Sequence, residues 1–167
     1  MAVQTAVSDN LVAAIPGMVR GSPHHSMTRV AQVAMQGGLL VVQGARDEQC
    51  KLPTVSTDIT SVLKPLGITR DNIARDPNFP SGGTAGYTYQ IGDSVEIVSQ
   101  GEVWVTVEES VAPGDDVYVR YDDGSATQKG AFRSSADSSS AALLSGAVYR
   151  TTAGAGGLAL VAINLPQ

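Results

Sequence analysis

The chain predicts a mainly β fold: a small β-barrel-like or sandwich-like domain with an extended N-terminal arm and at most one short helix. From Tyr87 to Leu165, apolar residues recur at every second position or in short runs, as in Val95-Glu96-Ile97, Val103-Trp104-Val105-Thr106-Val107 and Val117-Tyr118-Val119. That is the period of strands with one buried face. Each run is fenced by Gly, Pro or Asp, which punctuate turns. The spacing gives about seven to ten strands, a number that suits a barrel or sandwich.

Two regions follow: an arm over residues 1–29 and a β-rich domain over residues 30–167. In the arm, Leu11-Val12-Ala13-Ala14-Ile15 is a short apolar run closed by Pro16-Gly17, and His24 and His25 lie in a Gly/Ser/Pro turn. Such arms are mobile unless docked, and this run fits either a partner or its own domain. Val30 to Val42 reads as two strands around Gly37-Gly38. Asp58 is expected to cap a short helix running through Leu63 and ended by Pro65. Pro65-Leu66-Gly67-Ile68 then leads into a polar loop, followed by an irregular connection over residues 76–86. Ile91-Gly92-Asp93-Ser94-Val95 and Pro113-Gly114-Asp115-Asp116-Val117 echo one another. In both, Gly supplies a positive φ and Asp bonds back to the turn before a strand starts. Asp122-Asp123-Gly124 is a hairpin signal. The serine-rich stretch from Ser134 to Ser140 reads as a mobile loop, and Thr151 to Gly157 as a turn before the last strand.

At 167 residues, with 43% hydrophobic content, the chain is long enough to bury a core. Charged residues make up only 16%, against roughly 25% in soluble domains. So few charges suit a subunit whose faces are covered by neighbours. A net charge of −5 with 11 scattered basic residues argues against direct binding of nucleic acid. The single cysteine, Cys50, rules out an internal disulfide and fits assembly in a reducing cytoplasm. Residues 1–20 lack the pattern of a cleaved secretory signal. No apolar run approaches the ~20 residues that span a bilayer, so no membrane partner is expected.

Residues that could carry chemistry have plainer readings. Adjacent His24 and His25 do not match the spacing of metal ligands. No Gly-x-Ser-x-Gly elbow accompanies them, which argues against a Ser-His-Asp hydrolase. Cys50, beside Arg46 and Lys51, reads as a small buried residue. Asp115, Asp116, Asp122 and Asp123 are oxygen ligands of the type Ca²⁺ takes, yet turn chemistry accounts for them. Gly154 to Gly157 lacks the Lys-Ser/Thr pair of a phosphate loop. No catalytic, cofactor-binding or metal residue is assigned, and the chain is expected not to be an enzyme. In the run 103–107 the valines share one face and Trp104 with Thr106 the other. Trp104 therefore either lies in a subunit interface or covers one end of the barrel.

The order of short motifs resembles a known family. Gly38-Leu39-Leu40-Val41-Val42, Leu52-Pro53 and Pro65-Leu66-Gly67-Ile68 are followed by Val95-Glu96-Ile97 and Gly101-Glu102-Val103-Trp104-Val105. Pro113-Gly114-Asp115-Asp116-Val117-Tyr118-Val119 and Gly157-Leu158-Ala159-Leu160-Val161-Ala162-Ile163-Asn164 complete the series. Over roughly residues 30–165 this is similar to the structural cement, or capsid decoration, proteins of tailed bacteriophages. The resemblance implies a structural protein on the outer surface of the virion, assembled in the host cytoplasm and commonly trimeric. It also implies the major capsid protein as partner, with neighbouring subunits bridged against internal DNA pressure. The residues expected to meet that partner are Leu11, Val12, Ile15, Pro16, Met18 and Trp104. Two rivals are a tail, fibre or glycan-binding surface module and a swivelling biotinyl or lipoyl carrier. Lys129-Gly130 lacks the Met-Lys-Met or Asp-Lys-Ala context of the carrier.

Overall fold

A computed structural model describes residues 14–21, 24–71, 87–122 and 128–166. Its strands in chain order are β1 (His25–Ala31), β2 (Met35–Gln36), β3 (Leu40–Gln43), β4 (Gln49–Lys51) and β5 (Pro65–Thr69). They continue with β6 (Thr88–Tyr89), β7 (Ser94–Thr106), β8 (Asp116–Arg120), β9 (Phe132–Arg133), β10 (Ala141–Tyr149) and β11 (Leu158–Asn164). One short helix, α1 (Ser56–Thr60), and a 3₁₀ turn at Asp137–Ser139 complete the described elements. The expected mainly β architecture is present. The strand count exceeds the expectation because three strands are only two residues long, too short to show a period.

The 13-residue β7 organises the fold. Its first half pairs with β1 on one side and β5 on the other, and the chain of pairings β1–β4–β3–β5–β7–β1 closes a five-stranded barrel. All of these pairs are antiparallel except β1–β4. Ala31, Met35, Val41, Cys50, Leu66, Tyr89, Val95 and Ile97 form one buried cluster, drawn from the barrel strands and the β2–β6 pair. The second half of β7 pairs with β11, and the order continues through β10 and β8 to β9. A single bridge, Val107 to Phe132, together with a Glu108 N–H bond to the Phe132 carbonyl at 2.9 Å, returns this sheet to the end of β7. Two rings therefore share one strand. The larger cluster lies between them: Val103, Val105, Val107, Val117, Val119, Phe132 and Tyr149 pack with Leu40, Ile68 and Val98 of the first ring.

The echoed corners fold alike. Gly92 and Gly114 take φ of 89° and 90°. The Asp93 and Asp115 carboxylates each accept the N–H three residues earlier at 2.8 Å, from Gln90 and Ala112. Both turns lead directly into strands, β7 and β8.

Elsewhere the structure corrects the reading. The helix stops at Thr60, and Asp58 lies inside it; its carboxylate accepts the N–H of Thr54 at 3.1 Å and pairs with Lys64 and Lys51. Pro65, expected only to end that helix, also opens a fully buried strand, which is allowed because proline needs no donor at a strand's first residue. The 76–86 connection and Asp123-Gly124 lie outside the described residues.

Candidate interaction surface

The last part of the predicted arm runs along β7. Trp104 N–H bonds to the Met18 carbonyl at 2.9 Å, Gly17 N–H to the Trp104 carbonyl at 2.7 Å, and Arg20 N–H to the Glu102 carbonyl at 2.8 Å. The following strand, β1, begins at His25 and pairs with β7 from Gln100 back to Ser94. Pro16 and Gly17 are buried. Gly17 has φ +85°, and a Cβ there would stand 2.5 Å from the Asp71 backbone nitrogen, so the chain is wedged against its own barrel.

Ile15 is half-buried, Met18 is 39% exposed, and Trp104 is half-buried on the β7 face opposite the core valines, across from Leu160. The structure thus places Pro16, Met18 and Trp104 along one edge of β7. Leu11 and Val12 lie outside the described residues. A second exposed apolar group flanks α1, where Val62 and Leu63 are 70% and 79% exposed.

The residues considered for chemistry have structural work. His25 Nδ1 lies 3.1 Å from Ser99 Oγ, but Ser99 is fully buried, so its hydroxyl is closed to a substrate. Cys50 is buried, and burial pushes its thiol up to about 11, far from the thiolate a nucleophile needs. Among the described residues no group of three or more His, Cys, Asp or Glu could hold a metal ion. Nor is any helix among the described residues long and apolar enough to cross a membrane.

A feature the sequence reading missed is an ion network at the seam of the second ring. Arg120 on β8 and Arg133 on β9 are 4% and 8% exposed. Arg120 donates to both Glu108 carboxylate oxygens, from Nε at 2.8 and 2.9 Å and from Nη2 at 2.8 Å, and its Nη2 also reaches Asp137 Oδ2 at 2.5 Å. Arg133 Nη1 donates to the same Asp137 oxygen at 2.7 Å, and its Nη2 to Glu109 at 3.2 Å. Glu109 in turn accepts the Ser134 N–H and the Ser135 hydroxyl, each at 2.8 Å. The serine-rich stretch is therefore tied down, not a free loop.

These contacts shift the acids. Hydrogen bonding from Arg120 holds Asp137 below its ordinary value. Burial alone would raise Glu109, but the Ser135 hydroxyl, the Ser134 N–H and Arg133 together pull it down. The sequence signal for this network was the pair Arg120 and Arg133, basic residues directly after the buried apolar Val119 and Phe132.

Two fused β rings and the apolar edge at Met18 and Trp104 are the geometry against which known proteins can be compared. The profile of the family described as "Structural cement protein (E217 gp24/Pam3 gp6)" matches residues 3–164. This chain belongs to that family, and is accordingly a capsid-associated structural protein of phage. No curated protein is similar enough to this chain to count as a match. Among solved structures, a chain from "The capsid of Myoviridae Phage XM1" is 22% identical, with 98% of each chain covered and a TM-score of 0.70; it shares the fold. The "head fiber gp8.5 N base in bacteriophage phi29" aligns with 87% of this chain and 99% of its own at 14% identity. Its TM-score of 0.42 supports no argument.

Proposed function

We propose that this protein binds the outer surface of a phage head, bridges neighbouring major capsid subunits and holds the shell together against the pressure of packaged DNA. The observation that carries the proposal is the match to the cement family along nearly the whole chain, residues 3–164. The physics agrees with it. A cement must add contact area between shell subunits, typically ~800 Å² or more per partner, repeated by the shell's symmetry. A doubly closed β body is stiff, and stiffness lowers the entropy lost on docking.

On this reading the protein acts by contact and not by turnover, as a homotrimer added to the head in the host cytoplasm. Because both rings close, attachment by side-chain faces and the N-terminal segment is favoured over strand addition at a free edge. The residues assigned to the contact are Met18 and Trp104 on the β7 edge, together with Leu11, Val12, Ile15 and Pro16 of the N-terminal segment. Co-sedimentation with expanded heads stripped of this protein tests the proposal. Saturable binding that raises the head's resistance to heat is expected. Absence of binding to both empty and expanded heads sinks it.

A further inference from the structure

Ten described glycines take a positive φ, and only three other described residues do so: Asp137, Ser138 and Ser139, at 45°, 52° and 72°. The left-handed region is costly for any residue with a Cβ, and a run of three is unusual. All three are exposed and belong to neither core, so the strain does not serve packing. The turn is imposed from beneath. Arg120 and Arg133 grip the Asp137 carboxylate, the Tyr121 hydroxyl donates to the Ser139 carbonyl, and Ser140 N–H bonds to the carbonyls of Ala136 and Asp137 at 3.1 and 3.0 Å.

The carboxylate explains why position 137 is not glycine. No contact among the described residues explains Ser138 and Ser139: there, neither hydroxyl has a hydrogen-bond partner. Strain that the surrounding structure enforces at an exposed tip is a mark of function. The geometry points to Ser138 and Ser139 as a preorganised contact tip, whose two hydroxyls donate to uncharged acceptors, the backbone carbonyls of a shell subunit. This rests on the capsid-binding reading above. Carboxylate acceptors are disfavoured because Glu108, Glu109 and Asp137 outnumber Arg120 and Arg133 beneath the tip, and the chain as a whole carries −5. A tip already fixed by its own molecule loses little freedom on docking.

Two double variants test this, S138G/S139G and S138A/S139A, each assayed by co-sedimentation with stripped expanded heads and by thermal unfolding of the free protein. Glycine accepts the positive φ, so the first variant is expected to melt no lower than the parent while binding about tenfold more weakly, the loss for two modest hydrogen bonds. The alanine variant is expected to lose binding to the same extent, and binding of the parent through this tip to depend little on salt. If the parent binds and either double variant binds equally well, the tip is not a contact and the inference is overturned. Failure of the parent itself to bind strikes the capsid-binding proposal instead, so the two failures are distinguishable.

Discussion

Gly17 shows how much a single residue decides here. Its positive φ and the 2.5 Å approach that a Cβ would make to the Asp71 nitrogen leave no room for a side chain. Gly17→Ala is expected to cost about 2 kcal/mol or more, from left-handed strain plus a backbone clash, measured as a lower urea midpoint. Arg120 is the other sensitive position. Replacing it by Met strips Glu108 of three short hydrogen bonds and leaves that largely buried carboxylate with one longer bond, from Arg133 Nη1 at 3.2 Å. The expected loss is about 3 kcal/mol, and an unchanged unfolding free energy would refute the role given to the network.

The acids set a pH window. Asp58, Asp137 and Glu109 all titrate below their ordinary values of 3.8, 3.8 and 4.5 when folded. A depressed acid contributes stability that is fully present above its unfolded value and is lost as pH falls through its folded value. Stability is therefore expected to be insensitive to these groups from pH 7 to about 5 and to fall below about 4.5. Glu109→Gln should flatten the upper part of that fall in acid titrations followed by circular dichroism.

At the scale of elements, what could be read from sequence was what short segments settle alone. The Gly-Asp corners at Gly92-Asp93 and Gly114-Asp115 were legible because their hydrogen bonds close within three residues. The alternation of Val103, Val105 and Val107 against Trp104 was legible for the same reason. The strand at Pro65–Thr69 was not, since Pro65 reads as the stop of the preceding helix and Gly67 breaks the run of β formers. Only Gly fits where Gly67 stands, with a Cβ 2.2 Å from the Val98 carbonyl oxygen. The turn after Ser134 was misread because its partner Glu109 lies 25 residues away.

The N-terminal segment divides by the same logic. Residues 14–21 bond to β7 and wedge against the barrel, so deleting residues 1–20 is expected to lower the melting temperature. Deleting only residues 1–13 leaves those bonds in place. That truncation is expected to fold normally and to occupy shells less fully in gradient sedimentation, because it removes Leu11 and Val12. Equal occupancy would show that these residues do not attach the protein.

The whole molecule should unfold as one unit, since β7 belongs to both rings and the larger cluster joins them. Trp104 fluorescence and far-ultraviolet circular dichroism are expected to report the same urea transition. Separate midpoints would mean that the rings are independent. Light scattering of the free protein checks the proposed homotrimer, which predicts three times the mass of the chain.

The amino-acid sequence by itself determined the β class, the turn corners, the two faces of the central strand and the resemblance to a cement protein, because periodicity and turn chemistry act over a few residues. Tertiary structure alone decided that one strand serves two rings, that Pro16 and Gly17 are wedged into their own barrel, and that two buried arginines force a serine turn into the left-handed region. Those outcomes depend on groups brought together from distant parts of the chain, where no local pattern records the pairing.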